Sequence, residues 1–107
     1  MGFKKIIENV KMIHIYDDHC SCDLYIYLDT DECLINSLFV ESSYRHSGLG
    51  LKILHQTEKV IRDEGYDVAS LYVLKDAWMH KWYKRCGYED ADEECEDGYV
   101  KMEKRLI

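Results

Sequence analysis

At Gly48 the hydrophobic period of the chain changes, and that change limits what it can fold into. Upstream lie three short runs rich in aliphatic, β-branched and aromatic residues: 10–16, Cys22–Leu28 and Cys33–Val40. Turn-forming clusters separate them, Tyr16-Asp17-Asp18-His19 and Asp29-Thr30-Asp31-Glu32, so the expected local structure is an antiparallel meander. Residues 3–16 carry two periods at once. Phe3, Ile6, Ile7, Val10 and Ile13 have helical spacing, while Val10, Met12 and His14 alternate. The turn cluster at 16–19 favours a strand over about 10–16. Downstream of Gly48, Ile53, Leu54, Val60 and Ile61 return at helical spacing up to Glu64, with Lys52, Gln56, Lys59, Arg62 and Asp63 on the other face. Gly65 is a helix stop, because glycine takes the left-handed conformation without a Cβ clash. Val68–Leu74 reads as a buried strand. Ala77–Arg85 reads as a second helix, with Asp76 as its expected N-cap and Gly87 just past its end. Tyr99–Leu106 alternates as a closing strand. The order β-β-β-α-β-α-β predicts an α+β fold with a mixed, mostly antiparallel sheet flanked by helices and one β-α-β crossover.

The chain has 107 residues and no proline, with no linker-like tract or internal repeat, so residues 1–107 read as one domain. The formal charge of −7 is local. From Glu89 to Asp97, seven of nine residues are acidic, and the remaining charges balance. A nucleic-acid face, which needs excess Lys and Arg, is disfavoured, and a cationic partner is favoured. The run reads either as a solvated loop or as a lip that attracts a cationic acceptor. No apolar run approaches the length needed to span a bilayer and no signal-peptide core is present, so no membrane role and a cytoplasmic setting are expected. Five cysteines, an odd number, are then expected as reduced thiols. His14, His19, Cys20 and Cys22 have poor spacing for a metal site and are read as turn and half-buried residues, so no metal is expected.

Chemistry concentrates in Leu38-Phe39-Val40-Glu41-Ser42-Ser43-Tyr44-Arg45-His46-Ser47-Gly48-Leu49-Gly50. A strand runs out, turns, and enters a helix at two glycines. The first amides of a helix have no internal partner and carry the positive end of its dipole, so this is an anion site, and glycines let a phosphate approach the backbone. Neither a Walker loop nor a full Gly-x-Gly-x-x-Gly fingerprint is present, since position 53 is Ile. Read from these residues alone, the two glycines could equally serve tight packing.

Arg45-x-x-Gly48-x-Gly50 after Leu38-Phe39-Val40 resembles the acetyl-CoA loop of the Gcn5-related N-acetyltransferases (GNAT). Ser42 and His46 stand where that family commonly has Pro and Gly. Trp82-Tyr83-Lys84-Arg85-Cys86-Gly87-Tyr88 is similar to a second family element, in the right order and about one strand and one helix downstream. The resemblance covers about residues 22–107. It implies an acetyl-CoA-dependent N-acetyltransferase acting on a primary amine of a small or cationic acceptor by direct attack in a ternary complex.

The roles it implies are these. Leu38, Phe39 and Val40 would lie on a strand that splays from its neighbour and pair with the pantetheine arm. The amides of Arg45, His46, Ser47, Gly48, Leu49, Gly50 and Leu51 would hold the pyrophosphate. Tyr83 would sit near the sulfur and protonate the departing thiolate, as a phenol can at neutral pH. Asp76, where the family usually has Asn, would be a cofactor contact or simply the helix cap, and Met79 stands where a small Ala is common. Candidates for the base that deprotonates the amine are Glu41, Glu32, His14 and Asp29. The family usually has one strand and two helices ahead of the meander. With only a short segment before Cys22, the resemblance implies an acceptor cleft that is open, completed by a second subunit in a homodimer, or suited to a large substrate. The rival reading is a non-catalytic module that engages a basic partner protein through its acidic surface.

Overall fold

The computed structural model describes residues 2–93 and 95–106. Four strands come first: β1 (Gly2–Ile7), β2 (Val10–Asp17), β3 (Cys20–Tyr27) and β4 (Glu32–Val40). A single 3-10 turn over Ser42–Tyr44 leads to helix α1 (Leu49–Asp63). Then follow β5 (Val68–Leu74), α2 (Trp78–Arg85), the two-residue β6 (Glu89–Asp90) and β7 (Tyr99–Arg105). All seven strands form one mixed sheet in the order β1-β2-β3-β4-β5-β7-β6, antiparallel except where β4 meets β5.

The N-terminal ambiguity resolves toward strands throughout. Residues 2–7 pair with 10–15 through a hairpin whose two-residue loop is Glu8-Asn9, with Glu8 at φ 55°. The helical spacing of Phe3, Ile6 and Ile7 has no buried helix face behind it, because β1 is an edge strand exposed along its whole length. β6 is the other strand that the expected order lacks.

Alternation decides which face is core. Ile13 and Ile15 on β2, Cys22, Leu24 and Ile26 on β3, and Cys33 and Ile35 on β4 are buried together with Ile53, Leu54 and Ile61 of α1. Tyr83 and Tyr88 join the same core. The Tyr88 hydroxyl donates to buried Glu58 of α1 at 2.8 Å, and Lys104 of β7 reaches that carboxylate at 3.2 Å. Both helices therefore lie on one face of the sheet. The opposite face, with Met12, His14, Asp23, Tyr25, Tyr27 and Leu34, is half-buried at best and covered by no described helix.

Two features of the sheet position the site. First, the β4–β5 ladder holds at a single pair, Leu34 with Ser70, and beyond it the two strands share no further pairing. Second, β4 is bulged. Ser21 faces Phe39 and Asp23 faces Asn36, so Ser37 and Leu38 together oppose Cys22. Ser37 takes φ 56°, the left-handed conformation that such a bulge needs. The bulge switches the parity of the strand. Cys33 and Ile35 point to the core before it, and Leu38 and Val40 pack against the core after it.

Candidate active site: a cleft between a splayed strand and an uncapped helix

A cleft of about 560 Å³ opens where β4 and β5 part. Leu38, Phe39 and Val40 line it from β4; Tyr44, Arg45, His46 and Gly48 from the connecting loop; Gly50 and Leu51 from α1; and Trp78, Met79, Trp82 and Arg85 from α2. The wall is largely apolar and aromatic, while the helix end and the two arginines supply positive charge. That combination suits a long ligand with an apolar arm and an anionic head.

Local structure holds the loop. Arg45 Nε donates to the Val40 carbonyl at 3.1 Å, and Ser47 Oγ donates to the Tyr44 carbonyl. The Tyr44 ring stacks on His19 with centroids 3.6 Å apart, and the Glu41 amide donates to the His19 carbonyl at 2.9 Å. The loop is thus tied to the turn between β2 and β3. Gly48 is the N-cap of α1 at φ 86°, and no side chain caps the helix or places acid in its first turn. The orphan amides and the dipole of a 15-residue helix therefore face the cleft uncompensated. At Gly50 an added Cβ would meet the Trp82 indole at 3.5 Å, an ordinary van der Waals contact, so α2 packs directly beside the start of α1.

Eight of the expected cofactor residues line the cleft: Leu38, Phe39, Val40, Arg45, His46, Gly48, Gly50 and Leu51. Ser47, Leu49, Asp76 and Tyr83 are outside its lining. Asp76 is a correction in one respect. It does not cap α2, whose N-cap is Ala77 without a side-chain bond. Asp76 is exposed at φ 63°, and its own amide donates to His80 Nδ1 at 3.0 Å. Buried His80 passes its other ring nitrogen to Asp90 at 2.7 Å. Because Nδ1 accepts, Nε2 donates, so a ring rather than a carboxylate braces the start of α2.

Tyr83 is buried and stands edge-on to Trp82 and Tyr88. Burial, with the Cys22 and Cys86 thiols nearby, pushes its phenol well above the usual range. Cys22 is the residue that faces the β4 bulge, so Tyr83 lies near that bulge on the core side of the sheet. Its hydroxyl makes no hydrogen bond to another described residue.

The base candidates fall apart in space. Glu41 is exposed, 3.3 Å from His19 Nδ1, and outside the cleft lining. Glu32 is held by Lys101 at 2.5 Å. Asp29 lies exposed in the turn after β3. His14 is bonded to Asp23 at 2.6 Å on the open face. The acidic run is less of a free loop than its composition suggests. Glu89 and Asp90 form β6, Asp90 pairs with His80 and Lys84, and Glu93 pairs with Lys101; Glu94 lies outside the described residues. Among the described residues no group of three His, Cys, Asp or Glu side chains could hold a metal ion. No described helix is long and apolar enough to cross a membrane.

Trp78, Trp82 and Arg85 were not expected to line the cleft. Their i, i+4, i+7 spacing puts them on one stripe of α2, but only the packing of α2 beside Gly50 aims that stripe at the cleft.

A splayed parallel pair beside an uncapped helix N-terminus is the arrangement that the acetyltransferase resemblance implies. The family model "Acetyltransferase (GNAT) domain" matches residues 6–90, and the chain belongs to that family. Solved structures agree on the fold. A putative acyl-CoA N-acyltransferase from Klebsiella pneumoniae aligns with TM-score 0.74 and 18% identity over 92% of this chain and 74% of its own. The PaiA N-acetyltransferase of Thermoplasma acidophilum, solved with coenzyme A, aligns with TM-score 0.73 and 20% identity over 92% of this chain and 62% of its own. The ribosomal-protein-S18-alanine N-acetyltransferase of Escherichia coli aligns with TM-score 0.69 and 18% identity over 94% of this chain and 72% of its own. No curated protein sequence matches the chain.

Proposed function

We propose that the protein transfers an acetyl group from acetyl-CoA to a primary amine by direct attack in a ternary complex. One observation carries the reading: the uncapped amides of α1 open into the same cleft as the unpaired end of β4. The helix end and Arg45 suit a pyrophosphate. Free backbone groups of β4 suit the amide-bearing pantetheine arm. A β4 amide near the bulge would stabilise the tetrahedral oxyanion. Tyr83, kept protonated by burial, would donate to the departing thiolate.

The test is a melting scan with acetyl-CoA, followed by free-thiol release with a panel of amines, on the native sequence and on Tyr83→Phe. The expected result is a melting shift in both proteins, with turnover reduced in Tyr83→Phe. No shift at millimolar acetyl-CoA refutes the donor assignment. A shift without turnover on any amine moves the reading to a binding module.

A further inference from the structure

The sheet face opposite both helices holds a histidine–carboxylate pair that the cleft does not use. By strand register, Phe3, His14, Asp23 and Asn36 form one row across β1, β2, β3 and β4. Asn36 is the residue just before the bulge, so the row ends where the sheet begins to open. His14 Nδ1 and Asp23 Oδ1 are 2.6 Å apart, and each side chain is about one-third exposed. The ring is flanked by Phe3 at 5.3 Å and Tyr16 at 5.5 Å. A carboxylate can only accept, so Nδ1 donates to Asp23 and Nε2 is the nitrogen left for proton exchange.

The other candidates lack that combination. Glu32 is tied to Lys101 at the start of β4, five residues before the bulge. Asp29 sits in the turn before it, at the same far end. Glu41 lies past the end of β4, paired to His19.

The charge of the face also fits an amine. Around His14 stand Asp23 and Tyr25 from β3, Tyr16 on its own strand and Lys5 from β1. Farther along, Lys101 is surrounded by Glu32, Glu93 and Glu103. Carboxylates outnumber cations, which draws an ammonium toward the face.

Resting on the acetyl-transfer reading, we propose that the acceptor amine is received on this open face over Asp23, and that His14 is the base that takes its proton. Asp23 is a positioning residue, fixing the tautomer of His14. Strands are about 4.8 Å apart, so His14 is two strand spacings from β4, and bridging water completes the path. An alkylamine arrives as an ammonium ion and gives one proton to His14 Nε2. The neutral nitrogen bonds to the thioester carbon and the C–S bond breaks. Tyr83 protonates the leaving sulfur and is reprotonated by the proton that the new amide nitrogen sheds. His14 returns its proton to water.

The experiment compares the native sequence, His14→Gln and Asp23→Asn by thiol release across pH. The acceptors are benzylamine and spermidine, which are ammonium ions at neutral pH, and methoxyamine, which is neutral there. In His14→Gln kcat/KM for the alkylamines should fall by about 100-fold or more and lose its acid limb, whereas Asp23→Asn, which keeps the imidazole, should fall less and shift that limb rather than lose it. Methoxyamine turnover should fall far less than alkylamine turnover, and the acetyl-CoA melting shift should stay as in the native sequence. An unaltered alkylamine pH profile in His14→Gln, or equal losses on alkylamine and methoxyamine, overturns the role of His14 and leaves the acetyl-transfer reading standing. Absence of turnover by the native sequence on every amine overturns both.

Discussion

Replacing Gly48 with Glu isolates the electrostatics of the cleft. Gly48 sits at φ 86° at the head of α1, and a Cβ built there meets nothing within 4 Å. The substitution has no steric cost, only strain of about 1–2 kcal/mol for a left-handed non-glycine residue. The charge is the larger effect. A carboxylate roughly 4–8 Å from a diphosphate charge, at an effective dielectric near 20, opposes it by about 2–4 kcal/mol, or roughly 30- to 1,000-fold in affinity. Gly48→Gln carries the same strain without the charge. Gly65, also left-handed at φ 96° with open space around it, is the distant control. At a ligand concentration about 100 times Kd the native sequence gains about 2.7 kcal/mol on binding, which is a melting shift of roughly 10 °C for a domain of this size. A 100-fold weaker Gly48→Glu gains about 0.4 kcal/mol at the same concentration, a shift of only ~2 °C. Differential scanning fluorimetry with acetyl-CoA at two salt concentrations reads all of this. Gly48→Gln and Gly65→Glu should melt several degrees lower than the native sequence yet keep most of the ligand shift. If Gly48→Glu keeps the same shift as Gly48→Gln, the pyrophosphate is not at the head of α1.

Two further outcomes follow from buried and paired groups. Glu58→Ala strips the acceptor from both Tyr88 and Lys104 and should destabilise by about 3–5 kcal/mol, whereas Tyr88→Phe leaves the Glu58–Lys104 pair and should lose about 1–2 kcal/mol, both read by urea denaturation. Equal losses would mean that the Lys104 contact contributes nothing. Hydrogen bonds from Gln56, the Asp18 amide and Lys52 lower Asp17 to about 2. A depressed carboxyl adds stability above its unfolded pKa and loses it as pH falls through the folded one, so this contribution should vanish between about pH 4 and pH 2. The gap in urea midpoint between the native sequence and Asp17→Asn should close over that window, and a gap that persists below pH 2 would show that the effect is not ionisation.

Local patterns were legible in the sequence where one period dominated. Leu49–Asp63 is helical with Ile53, Leu54 and Ile61 inward, as their spacing requires, and Val68–Leu74 is the strand its composition indicates. The first strand was not legible, because Phe3, Ile6 and Ile7 fit two periods and only the partner at 10–15 selects one. The bulge left a faint trace. Asn36-Ser37 interrupts an apolar run, but nothing local says that Ser37 adopts φ 56° or that the strand changes parity there. Asp76 misled as a cap, because capping propensity is local while the bond from its amide to His80 depends on where α2 docks.

The sequence by itself determined the glycine-bearing strand-to-helix turn and the amphipathic helix behind it, on which the proposed anion site rests, because these depend on backbone freedom and on residues within a turn of one another. Only the tertiary structure decided what surrounds that site. The loss of pairing between β4 and β5 after Leu34, the Trp82 ring against Gly50, and the row that brings His14 beside Asp23 and on toward the bulge all join residues distant in the chain. Which residues meet across a sheet is set by register, and register follows from the burial of one face as a whole.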